Sequence, residues 1–261
     1  MIIENNMQTP LIVFIIGVVI LVALIVFLIR RFVPLRYLRH HHEVGFPIFL
    51  QIGVIYAVLL AFVFSAEWDG YLKAQRGIEE ESSDLLTLMH LAQEFPKDLK
   101  SSIEEEITDY TILIINQDWP DMQNNKGRLN TWGNLTRLQN IYLKMEPKTK
   151  RDDFFYTESL KYLEDLRQSR QKRIFTVNEN RPWILWLVIS IMGTSIVCVS
   201  FLFGMRYLWS QIALTSCLAA MITTIILVTI VLSTPFTGRF ALKPHDFEEV
   251  LAKFYEVKRI S

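Results

Sequence analysis

Three consecutive histidines, His40, His41 and His42, lie between Arg39 and Glu43. Imidazole is a common metal ligand, yet adjacent residues on a helix point in different directions, and no Cys or carboxylate cluster at ligand spacing completes a coordination set. The residues thus predict no metal site and call for no cofactor. Two acidic triplets, Glu79, Glu80, Glu81 and Glu104, Glu105, Glu106, fall within helical patterns. Neither has the Asp/Asn/Gly loop of a calcium site, so both read as solvated helix faces. No nucleophile motif, phosphate-binding glycine loop or paired zinc-ligand motif occurs, so no catalytic residue is assigned and an enzyme is the least supported class. One charged cluster stands at the end of an apolar stretch: Glu67, Trp68 and Asp69. In an oligomer Glu67 and Asp69 would form an acidic ring of the kind that selects ions at a pore mouth. Trp68 suits the role of an aromatic anchor at the bilayer surface.

The elements that would position these residues follow from composition. Of the 261 residues 51% are hydrophobic and 21% charged, which requires apolar and polar material to be segregated into blocks. Four runs, residues 11–29, 46–66, 183–203 and 212–232, each carry no charge. A hydrocarbon core of about 30 Å takes roughly 20 residues of helix, so each run predicts a transmembrane span. The first reads as a span and not as a signal peptide, because no Lys or Arg precedes it and no small-residue cleavage site follows. Cys198 and Cys217 lie inside apolar runs and read as small packed hydrophobes. In the second run, Ile55, Leu59 and Phe62 share a face at helical spacing. They are candidates either for an apolar pore constriction or for ordinary helix packing. In the fourth, Ser216, Ala220 and Thr224 recur every four residues, with Thr215, Ala219 and Thr223 beside them, a small-residue pattern that favours close helix approach.

Residues 67–181 lack strand-like alternation and repeat apolar residues at helical spacing. Four stripes stand out: Ile78 to Ala92, Leu99 to Ile114, Leu129 to Tyr142 and Phe155 to Ile174, with Pro96 and Pro147 as breaks. The fold class is therefore all-α: two transmembrane hairpins (1–66 and 182–233), a helical extramembrane domain (67–181) and a short C-terminal tail (234–261). The formal net charge is zero, without the basic surplus that phosphate neutralisation needs, so nucleic acid is not an expected partner. The expected partners are the lipid bilayer, further copies of the chain, and inorganic ions. Arg30, Arg31, Arg36 and Arg39 in the first short loop and Arg206 in the second place both loops in the cytoplasm by the positive-inside rule. That leaves both termini and residues 67–181 outside. Arg167, Arg170, Lys172, Arg173 and Arg181, close to the third span, oppose this orientation.

Three segments carry a resemblance. Gly53 to Leu60 leads into Phe62, Trp68 and Tyr71; Glu81, Ser82, Leu85 and Leu88 follow; Pro235, Phe236, Thr237, Gly238 and Arg239, then Phe247, come after the last span. Together they resemble the bestrophin-like family of bacterial and plant membrane proteins. Bestrophins are pentameric anion channels whose second transmembrane helix lines an apolar neck, so the resemblance implies an ion channel, with anions as its cargo. It also implies that the segment between second and third spans is cytoplasmic, against the arginine count. A calcium clasp after the fourth span is not recognisable here, so calcium gating is not carried over. A membrane-anchored sensory, binding or assembly module without transport activity is the other reading of the same architecture.

Overall fold

A computed structural model describes residues 8–32, 42–124, 132–178, 182–205, 207–238 and 240–260. Every regular element among them is helical: α1 (Gln8–Phe32), α2 (His42–Ala92), α3 (Lys97–Leu113), a π-helical turn (Ile114–Asp118), α4 (Trp119–Gln123), α5 (Trp132–Leu143), α6 (Lys150–Asn178), α7 (Trp183–Ser200), α8 (Leu208–Leu232) and α9 (His245–Ile260). Four of these, α1, α2, α7 and α8, are long and apolar enough to cross a membrane, as the uncharged runs require. The chain divides into two compact units. One holds residues 1–69 and 180–233, the other 70–179 and 234–261. Helix α2 contributes its first half to one and its second half to the other.

In the first unit, small side chains let helices meet. Val22 and Val26 of α1 pack with Ala219 of α8 and Phe201. Tyr56, Leu60 and Val63 of α2 pack with Ile189 and Ile196 of α7. Gly193 makes the second contact possible: a Cβ there would lie 2.7 Å from the Tyr56 hydroxyl and 3.0 Å from Ile222 Cγ2. The inward stripes are thin. No more than 22% of the most apolar window of any span is buried, which leaves wide apolar faces for lipid or further copies. Cys198 and Cys217 lie on these exposed faces as free thiols and are not packed inside.

The second unit is a conventional helical core. Ile78, Leu85, Leu88, Met89 and Ala92 from α2, Ile103, Ile107 and Tyr110 from α3, Leu135, Leu138 and Tyr142 from α5, and Leu163 and Leu166 from α6 form one cluster. The predicted stripes supply most of it, and the rest comes from residues outside them, among them Trp119, Met122 and Phe247. Helix α6 begins on a capping box, with Thr149 Oγ1 accepting from the Asp152 amide and Asp152 Oδ2 accepting from the Thr149 amide, each at 3.1 Å. The second half of α2 ends just before Phe95 and Pro96, as the proline dictates.

Two local features differ from the sequence reading. Asp118, Trp119, Pro120 and Asp121 have the composition of a turn, but the backbone stays helical through the π turn and into α4. Pro120 falls directly after the π turn, at the start of the α4 segment. The extra residue of the π turn allows Asp118 and Trp119 both to point inward. The second difference is α9. Its Phe247, Val250 and Phe254 at helical spacing join the same core, together with Phe236.

Candidate functional site

The first half of α2 has a packed face and an open one. Phe49, Gly53, Tyr56, Leu60, Val63 and Glu67, alternately four and three residues apart, are buried or half-buried. Opposite them, Gln51, Ile55, Val58, Phe62, Ser65 and Asp69 follow the same spacing and are all exposed. Ile55 is 59% exposed and Phe62 71%. Leu59 lies at the edge between the faces and is half-buried. Polar groups on a lipid-facing stripe are costly, so a face bounded by Gln51, Ser65 and Asp69 is built to meet water or protein.

The acidic pair at the end of the span is split between these faces. Glu67 is only 5% exposed, whereas Asp69 lies on the open stripe. Trp68 is exposed and stacks on Phe64, with ring centroids 6.3 Å apart and planes 15° from parallel. In α8, Ser216 is buried, Ala220 half-buried and Thr224 exposed. The Thr224 hydroxyl donates to the Ala220 carbonyl of its own helix at 2.8 Å. The contact with α1 runs through Ala219, one position from the four-residue repeat. His40 and His41 lie outside the described residues, and His42 opens α2.

A second constellation sits in the core of the other unit. Glu81 is fully buried and accepts from Arg173 at two atoms, Nε to Oε2 at 2.7 Å and Nη2 to Oε1 at 2.9 Å. The Tyr110 hydroxyl donates to Glu81 Oε1 at 2.5 Å. Asp118 Oδ2 stands 3.9 Å from Arg173 Nη2, and the guanidinium carbon is 5.9 Å from the Phe247 ring centroid. Burial opposes a charge on Arg173, but the Glu81 carboxylate, then Tyr110 and Asp118, hold its pKa above the usual value. Burial and the neighbouring Glu81 push the Tyr110 hydroxyl well above its ordinary range, so it stays a donor. Such a paired and hydrogen-bonded set fixes one arrangement of α2, α3 and α6. Arg173 belonged to the basic cluster counted for orientation. Its partnership with Glu81, 92 residues away, has no signal in local spacing.

The segment after the fourth span closes on this core. Phe236 is buried with its ring edge-on to Trp119 at 5.8 Å. Leu242 N donates to the Pro235 carbonyl at 2.8 Å, and Trp119 Nε1 to the Leu242 carbonyl at 3.3 Å. Gly238 has φ +79°, a left-handed conformation that makes this the one turn of the motif requiring glycine. An open cavity of about 510 Å³ lies on the same unit, lined by Glu79, Glu80, Asp84 and Asp165 together with Lys172. Lys172 pairs with Glu80 at 2.9 Å. Burial, then Asp165 and Glu80, raise the Asp84 pKa to about 6 against a small lowering by Ser169.

Comparison with known proteins agrees with this architecture. The family model of the bestrophin-like domain matches residues 16–247. No curated protein matches the chain. Solved structures of a bacterial bestrophin homologue from Klebsiella pneumoniae, in several point variants, share the fold. One is 13% identical, covers 94% of this chain and 98% of its own, and gives a TM-score of 0.73. A second, also 13% identical, covers 95% and 98% with a TM-score of 0.74. A third is 14% identical over 92% and 99%, with a TM-score of 0.73.

Proposed function

The chain belongs to the bestrophin-like domain family, and from that premise we propose that it forms a homo-oligomeric ion channel with the outer face of α2 as the pore lining. The observation that carries this reading is the α2 stripe. Ile55, Val58 and Phe62 make an apolar middle, and Gln51, Ser65 and Asp69 put polar groups at both ends. A hydrophobic constriction with wet vestibules needs that order of residues. Several copies around an axis would present Ile55 and Phe62 to the conduction path, with Leu59 at the seam between neighbouring helices. The mouth charge is assigned to Asp69 instead of Glu67, because Glu67 lies on the packed face. Anions are the proposed cargo on the family resemblance, with Lys73 and Arg76 offsetting Asp69 one and two turns further on.

The test is reconstitution of the purified chain into planar bilayers under a salt gradient. The sign of the reversal potential reports the charge carried. Phe62→Ala and Ile55→Ala, which widen an apolar neck, should raise unitary conductance severalfold. Leu50→Ala, on an exposed face about a quarter turn away from the stripe, should leave it unchanged. Bilayers silent across pH, calcium and voltage would return the chain to the sensory or assembly reading, and currents indifferent to Phe62→Ala and Ile55→Ala would remove the α2 stripe as the pore lining.

A further inference from the structure

The first unit contains a cavity of about 310 Å³ that the pore face of α2 does not use. Phe46 and Phe49 from the start of α2, Phe203 after α7, and Gln211, Leu214 and Leu218 from α8 are among its walls. The three rings form one cluster. Phe203 meets Phe46 at 6.3 Å and 85°, and Phe49 at 5.1 Å and 58°. The lining is thus mostly apolar and aromatic with a single amide, the composition of a small-molecule pocket.

That amide is the informative atom group. Gln211 is 2% exposed, and its Nε2 donates to the Phe201 carbonyl at 3.5 Å. Its Oε1 has no hydrogen-bond partner among the described residues. A buried carbonyl oxygen without a donor carries a desolvation penalty that a ligand can remove. Water would find only the Thr215 and Ser200 hydroxyls beside the amide on an otherwise apolar wall, the low end of the two to four polar partners an ordered molecule wants. The Ser200 hydroxyl, also on the wall, already donates to the Val197 carbonyl at 2.6 Å. A cation is disfavoured because the lining contains no carboxylate to pair with it. An anion is disfavoured by the acceptor itself.

We propose that this cavity is a binding site for a neutral amphiphile that partitions into the bilayer, a phenol or alcohol with a compact apolar body whose hydroxyl donates to Gln211 Oε1. At roughly 30 Å³ per non-hydrogen atom the space holds about ten such atoms. The phenylalanine rings receive the apolar body, and Gln211 reads the hydroxyl.

The experiment uses the full chain in phosphatidylcholine nanodiscs, whose headgroups carry no hydroxyl to compete. Binding of 4-propylphenol is compared with that of 4-propyltoluene, the same shape without the donor, by ligand-observed NMR against empty nanodiscs. The phenol should saturate and bind about tenfold more tightly than the hydrocarbon. Gln211→Leu should bring the two within about twofold of each other. Leu214→Trp, which fills the space and leaves the amide in place, should abolish saturable binding of both. Equal affinities in the unmodified chain, a phenol preference that survives Gln211→Leu, or binding that survives Leu214→Trp overturns the assignment, as does absence of saturable binding. No current enters these measurements, so a silent bilayer and an empty pocket are separate results.

Discussion

Buried charge is the dominant feature at the scale of single residues. Arg173 and Glu81 are both fully buried, and each satisfies the other with two hydrogen bonds. Removing one partner strands the other, so Arg173→Met should cost about 3–5 kcal/mol of stability. Glu81→Leu combined with Arg173→Met should cost less than the sum of the single changes, because no unpaired charge remains. Thermal unfolding of the detergent-solubilised full chain measures both, and strict additivity would reject the pairing. Asp84 gives a pH signature of opposite character. Folded, it keeps its proton up to about pH 6, whereas an unfolded chain releases it near pH 4. Between those values the native state binds more protons, so this group's contribution lowers stability as pH rises from about 4 to 6. The group is half-exposed, and screening reduces the effect to about 1 kcal/mol. Asp84→Asn should therefore raise the unfolding temperature at pH 7 and leave it nearly unchanged at pH 4. In the sequence Arg173 counts only as one cation of the cluster near the third span. Glu81 enters through the family resemblance and through an acidic triplet that reads as a solvated face, a reading its full burial overturns. Its partners come from helices far apart in the chain, and no periodicity encodes which buried acid meets which buried base.

Helices were the most legible level, because burial imposes a period that can be read without coordinates. Nearly every residue of the stripes predicted in α2, α3, α5 and α6 that the structure describes is buried or half-buried in the second unit's core. What spacing does not reveal is which of several apolar faces turns inward within a span, since all faces of a transmembrane helix are apolar. In α8 the four-residue run of Ser216, Ala220 and Thr224 drifts from interior to surface. A straight helix with 3.6 residues per turn carries a four-residue repeat around its axis. A tight contact also falls at Gly193 of α7, outside the α8 pattern. Gly193→Ala places a Cβ 2.7 Å from the Tyr56 hydroxyl, closer than nonbonded carbon and oxygen tolerate. The cost should be about 1–3 kcal/mol, as for other overpacked sites. In a Tyr56→Phe background the same substitution should cost distinctly less, and unfolding curves of the four proteins in the cycle decide it. An undiminished penalty in that background would move the strain to Ile222, whose Cγ2 stands at 3.0 Å.

For the molecule as a whole, the four spans were readable from length alone, whereas α9 was not, since sixteen residues of mixed polarity after the last span resemble an ordinary tail. Its Phe247, Val250 and Phe254 complete the second unit's core, and the left-handed Gly238 marks the turn before it. Membrane orientation is the property on which two sequence arguments collide. The arginines of the short loops place residues 67–181 outside, while membership of the bestrophin-like family argues for the cytoplasm. Two of the five basic residues near the third span are internally matched: Arg173 is buried against Glu81 and Lys172 pairs with Glu80. Arg30 in turn donates to the Met205 carbonyl at 2.8 Å, so this one of the first-loop arginines also has a structural use that the positive-inside count ignores. With local charge weakened as an indicator on both sides, the family relationship over residues 16–247 carries more weight, and the helical domain is expected in the cytoplasm. Lys148 is exposed on that domain and offers a labelling position. In a background with Cys198 and Cys217 replaced by serine, Lys148→Cys should resist a membrane-impermeant maleimide on intact cells and react fully after lysis. Labelling of intact cells would restore the arginine-based orientation and place the domain outside.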